Sequence, residues 1–180
     1  MRYPYLRDLE NGDVDLEITA QGLCFVNDVG RSAMIDWPEI RQVRLYWNQV
    51  ATKAPLFSHL NIPVFGYFCE ITLRNKNRIV IASGVLDEQR QWLDRNAEYR
   101  DFVVRLHDRL RANRSRARFR RGLTWPGFLN YAFGTSWLGS AELSVPGFSL
   151  LILADWPILA RHFPRRYRPH RLPQPLLPPS

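Results

Sequence analysis

Between residues 14 and 82 the chain alternates apolar and polar positions in short runs. Val14, Leu16 and Ile18 alternate with Asp15, Glu17 and Thr19, the period of a strand with one buried face. Ala20-Gln21-Gly22 predicts a tight turn, Leu23 to Val26 a second strand, and Asn27 to Gly30 another turn. Ser32 to Ile35 reads as a third strand that stops at Asp36-Trp37-Pro38. A fourth starts at Glu39, with Ile40, Val43 and Leu45 inward and a bulge between Ile40 and Val43. After a long connection over 48–63, Phe65 to Leu73 is a fifth strand with Tyr67, Cys69, Ile71 and Leu73 on one face. The polar turn Arg74 to Asn77 leads into a sixth, Arg78 to Ala82.

The period then changes. Tyr99, Phe102, Val103, Leu106 and Leu110 fall on one face of a helix, with Arg100, Asp101, Arg105, Asp108 and Arg109 opposite. Asp94 or Asn96 is the expected N-cap, and Asp101 with Arg105 an i,i+4 pair. A run of antiparallel strands closed by a helix predicts an α+β fold: a β-barrel or sandwich closed by its C-terminal amphipathic helix.

Charge divides the chain. Residues 1–110 hold 14 Lys+Arg and 15 Asp+Glu, a net of −1, whereas residues 111–180 hold 11 Arg, Glu142 and Asp155, a net of +9. Six arginines fall within 111–121 and five within 161–171, and only Glu142 and Asp155 are charged between them. A helix crossing a bilayer needs roughly 20 apolar residues. The two halves, 125–141 and 143–160, hold 17 and 18 residues and include Pro146, Asp155 and Pro157. Basic flanks favour the cytoplasmic side, so two of them require an even number of crossings. The expectation is a short apolar helical hairpin over 122–160. Arg114, Arg116, Arg118, Arg120, Arg121, Arg161, Arg165, Arg166 and Arg168 would then face lipid headgroups, with Trp125, Tyr131, Trp137 and Trp156 at the interface.

The expected organisation is an N-terminal arm (1–12), a β domain with its closing helix (13–112), an arginine-rich linker (113–121), the apolar hairpin (122–160) and a basic, proline-rich tail (161–180) whose last stretch, 172–180, is extended and frayed. Leu56, Phe57, Leu60 and Ile62 make the long connection a candidate partner loop. No apolar leader opens the sequence, so the folded part is expected in the cytoplasm, at the inner face of the cell membrane. Cys24 and Cys69 read as reduced packing residues. His59, His107, His162 and His170 have no ligand spacing, so no metal is expected. No catalytic constellation, nucleotide loop or cofactor motif is legible, and the chain reads as non-enzymatic.

The strand pair Leu23 to Ile35, the junction from Ile35 through Trp37, Glu39 and Ile40 to Val43, the hairpin Glu70 to Ala82 and the helix Ala97 to Leu110 together resemble bacterial pleckstrin-homology-like domains. The basic tail from Arg165 to Pro178 is similar to that of small bacterial membrane proteins in which such a domain precedes a two-span hairpin. The charge partition around the nearly uncharged segment, taken with this resemblance, leads to the expectation of a membrane-tethered interaction or scaffolding module whose main partner is an anionic lipid surface, with room for a protein partner. The resemblance does not carry over phosphoinositide recognition, because the loop Ala20-Gln21-Gly22 lacks the basic residues that such members use. The alternative is a soluble nucleic-acid-associated protein that uses 111–121 as an arginine-rich arm.

Overall fold

The computed structural model describes residues 2–5, 14–27, 32–54, 57–86, 91–129, 160 and 162–179. The strands β1 (Arg2–Tyr5), β2 (Val14–Ile18), β3 (Gly22–Asn27) and β4 (Ser32–Asp36) form an antiparallel meander. The expected N-terminal arm therefore supplies an edge strand. A 3₁₀ turn, Trp37–Glu39, follows. Trp37 is buried there, and its indole N–H donates to the Ala20 carbonyl at 2.9 Å, tying the junction to the β2–β3 turn. Gly22 is required at that turn, because a Cβ would collide with the Ile35 carbonyl.

A second sheet is built on two long strands, β5 (Ile40–Ala54) and β6 (Phe57–Leu73), paired from Ile40↔Leu73 to Ala54↔Phe57. The expected long connection over 48–63 is thus a continuation of both strands of one hairpin, which corrects the loop expected there to strand. Phe57, Leu60 and Ile62 lie within β6, whereas Leu56 falls outside the described residues. The bulge lies between Ile40 and Gln42. Then come β7 (Arg78–Ala82), a small pair β8 (Gly84–Leu86) and β9 (Trp92–Asp94), and the helix α1 (Asn96–Ala112).

Neither expected residue caps α1. Its N-cap is Arg95, with no side-chain hydrogen bond. The Asp94 carboxylate instead accepts the Trp92 indole N–H at 2.8 Å, and the Arg95 amide donates to the Ser83 carbonyl at 2.7 Å, which fixes where the helix starts. Asp101 and Arg105 pair at 3.8 Å on the exposed face.

After α1 the chain returns as β10 (Arg118–Arg121), parallel to β5, and a short β11 (Arg165–Arg166) pairs antiparallel with β10. The second sheet is ordered β11-β10-β5-β6-β7. Its inner face carries the row Phe119–Val43–Ile71–Ile79 and, one level on, Leu45–Cys69–Ile81, all buried. These join Leu16 and Leu23 of the first sheet and Tyr99, Phe102, Val103, Leu106 and Leu110 of α1 in a single core.

This architecture overturns the expected closed barrel followed by a helical hairpin. The described strands lie in three open sheets of four, five and two strands, and α1 supplies one wall of the core. The arginine-rich stretch expected to be a linker contains Phe119, which is buried beside Val43 of β5 and carries its neighbours into the sheet as a strand. No helical hairpin is present over 122–160 among the described residues, and no described helix is long and apolar enough to cross a membrane. Residues 130–159 lie outside the described ones.

The tail is not frayed. A 3₁₀ turn, Gln174–Leu176, places Leu176 and Leu177 in the core. Arg100 donates to the Pro178 carbonyl at 2.7 Å. The prolines reduce the ordering cost, since their φ is already fixed.

Candidate functional site

The two arginine-rich stretches, 40 and more positions apart in sequence, meet in one sheet. In the register of β10 and β11, Arg120 opposes Arg166 and Arg121 opposes Arg165. On the other side Arg120 is level with Arg44 of β5, which is level with Glu70 of β6. Since Val43, Leu45 and Phe119 face the core, Arg44 and Arg120 lie on the opposite face of the sheet. The outer face therefore carries the row Arg166–Arg120–Arg44–Glu70, three cations and one carboxylate on four adjacent strands. Like charges directly opposite one another oppose sheet pairing.

Arg44 is buried and pairs with Glu70 at 3.7 Å, and Arg78 reaches the same carboxylate at 4.0 Å. Burial pushes the Arg44 guanidinium below its usual pKa, Glu70 acts against this, and Arg120 and Arg78 add to it. Burial also raises the neighbouring Tyr46 phenol to about 12, with Glu70 contributing, so it stays a neutral hydroxyl. Arg120 Nε is buried and has no hydrogen-bond partner among the described residues.

Arg44, Arg120, Arg121, Arg165 and Arg166 line one cleft of about 430 Å³. Its far wall is Leu123 to Pro126 with Pro164, and no described carboxylate lines it. That wall is where the apolar segment departs. The Gly122 amide donates to the Leu45 carbonyl at 2.8 Å, and the Leu123 amide to the His162 carbonyl at 2.9 Å. The two ends of the segment are thus hydrogen-bonded to each other at the sheet edge. Gly122 makes this approach feasible: its φ is +78°, and a Cβ would collide with the backbone carbonyls of His162 and Phe163. Thr124 then starts a helical turn over residues 125–129, its hydroxyl accepting the Gly127 amide at 3.1 Å. Trp125, Phe128 and Phe163 pack edge-to-face with centroids 5.3–6.0 Å apart, and Arg165 sits over the Phe163 ring at 5.2 Å. Trp125 is 52% exposed and Leu129 45%.

A clamp holds the returning chain. His107 of α1 is buried, and its Nδ1 lies 2.7 Å from the Val103 carbonyl, which can only accept. Nδ1 therefore carries the proton, and Nε2 accepts the Tyr167 hydroxyl at 2.7 Å. Desolvation lowers the His107 pKa to about 4, against smaller opposing effects from the Val103 hydrogen bond and Asp108. Burial pushes the Tyr167 phenol well up.

Of the arginines singled out from sequence, Arg120, Arg121, Arg165 and Arg166 come together here. Arg118 and Arg168 are exposed nearby in the chain, and Arg114 and Arg116 line a separate cleft with Arg74 and Trp37. Trp125 is at the site, whereas Arg161, Tyr131, Trp137 and Trp156 lie outside the described residues. Sequence reasoning missed Arg44, whose signal was an arginine inside an otherwise half-buried strand, and it missed the His107–Tyr167 clamp. Among the described residues no group of three His, Cys, Asp or Glu side chains is placed to hold a metal. No family model, curated protein or solved structure matches the chain.

Proposed function

We propose that the protein is a membrane-tethered interaction module, attached at the cytoplasmic face of the cell membrane through the apolar segment that begins at Leu123. One observation carries the reading: the hydrogen bond from Leu123 to His162 closes the base of a nearly uncharged segment inside a rim of five arginines. Both ends leave the fold from the same side, as an insertion that enters and returns requires. Guanidinium groups at the base would sit at headgroup depth, where each basic residue contributes about 1 kcal/mol near an anionic leaflet. The exposed Trp125 beside them suits an interface. The folded part then acts as a binding platform, not a catalyst.

Cell fractionation tests this. The intact protein should sediment with membranes and stay there through high-salt and carbonate washes. Recovery in the soluble fraction before any wash would overturn the reading.

A further inference from the structure

We propose that the row Arg44–Arg120–Arg166 is a phosphate-coordinating site. This deepens the reading above by naming the chemical group that the base of the segment takes. Three observations support it. First, guanidinium groups on three adjacent strands are held in register on one face, and the carboxylate Glu70 accompanies only the innermost. Arg120, between the other two, has no ion pair among the described residues, and its buried Nε lacks a hydrogen-bond partner. An anion bridging Arg120 to its neighbours would relieve both deficits, the like-charge repulsion and the unmade hydrogen bond. Second, the arginines open onto the cleft of about 430 Å³, larger than a phosphate group needs, with no described carboxylate in its wall. Third, the donors are arginines throughout. The planar guanidinium fork matches two oxygens of a tetrahedral phosphate, and it presents donors in fixed directions where lysine would present a point charge. Glu70 has a role in this arrangement. By accompanying Arg44 it lets a cation sit buried at the inner end of the row, while Arg120 and Arg166 keep their forks for the ligand.

A phosphate can come from solution or from a lipid headgroup, and titration of the full-length protein separates the two. In one arm inorganic phosphate is titrated calorimetrically at constant ionic strength. In the other, phosphatidylcholine vesicles carrying phosphatidic acid are compared with vesicles carrying oleate at the same surface charge. Binding of inorganic phosphate names a soluble source; binding only to the phosphatidic acid vesicles names the headgroup. Either result supports the site if Arg120→Gln and Arg166→Gln each weaken binding about tenfold or more, and Arg105→Gln, on the exposed face of α1, does not. Arg166 is exposed, so its variant does not hinge on folding. Arg120→Lys keeps the charge without the fork and should remain several-fold weaker. Undiminished binding in the Arg120 and Arg166 variants, or no binding of inorganic phosphate together with equal binding to oleate and phosphatidic acid vesicles, would overturn the proposal. Should the chain prove not to reside at membranes yet bind phosphate with this pattern, the site stands and the membrane reading falls.

Discussion

Replacing Tyr167 with Phe removes one oxygen atom from the clamp that returns the chain to the sheet edge. The ring contacts with His107 and Phe119 remain, at centroid distances of 5.8 and 5.7 Å. What is lost is the 2.7 Å hydrogen bond to His107 Nε2, an acceptor that is then buried without a partner, at a cost of about 1–3 kcal/mol. The pH dependence makes the test sharper. Folded His107 stays neutral down to about pH 4, whereas in the unfolded chain it takes a proton near its ordinary 6.5. Between those values the unfolded state binds more protons, so stability falls as the pH drops from 6.5 towards 4, by up to about 3 kcal/mol. Above 6.5 this contribution is fully present. The phenol donates to the neutral imidazole only, so its removal lifts the folded pKa towards 6.5 and shrinks the acid-labile part. Urea unfolding of both proteins across this range should show Tyr167→Phe less stable above pH 6.5 and the two curves converging near pH 4. Parallel curves, or no difference above pH 6.5, would refute the hydrogen-bonding scheme.

Three further outcomes are expected. Gly122→Ala forces a side chain into a left-handed conformation against the His162 and Phe163 carbonyls, so it should cost about 1–3 kcal/mol and speed proteolysis near the segment's base. Leu176→Ala, at a residue 2% exposed, should lower the unfolding free energy by about 2–5 kcal/mol, while Leu129→Ala, 45% exposed, should stay within about 0.5 kcal/mol in the absence of lipid. Trp125→Ala should weaken partitioning into vesicles about tenfold or more while costing only about 1 kcal/mol of stability in buffer through its contacts with Phe128 and Phe163, read by flotation and by denaturant titration.

Alternation and helical period made the strands up to Ala82 and the buried face of α1 legible, because each is a local pattern tied to one buried face. What decided the architecture was not local. Phe119 is a single apolar residue among arginines, and only the space left beside Val43 makes it a strand residue. The hairpin of β5 and β6 outran its prediction because its far end alternates weakly and contains Pro63. The tail looked frayed by composition, yet Leu176 and Leu177 find a place in the core and Arg100 secures Pro178. For the site, the two arginine runs were visible as charge, but their meeting depends on the antiparallel pairing of β10 with β11, and their place beside Arg44 on the long-range parallel pairing of β10 with β5. Arg44 was unremarkable in sequence until Arg120 was level with it. The Asp94 cap failed for a comparable reason, since a nearby indole took the carboxylate.

The most direct measurement of the account is flotation of the full-length protein with vesicles containing anionic lipid, set beside a variant in which residues 124–161 are replaced by a short glycine-serine bridge. Leu123 and His162 already meet, so the bridge should leave the sheets, α1 and the tail folded. The account predicts that the full-length chain floats and the bridged chain stays in buffer. A full-length chain that remains monodisperse in buffer, or a bridged chain that floats equally well, would contradict it.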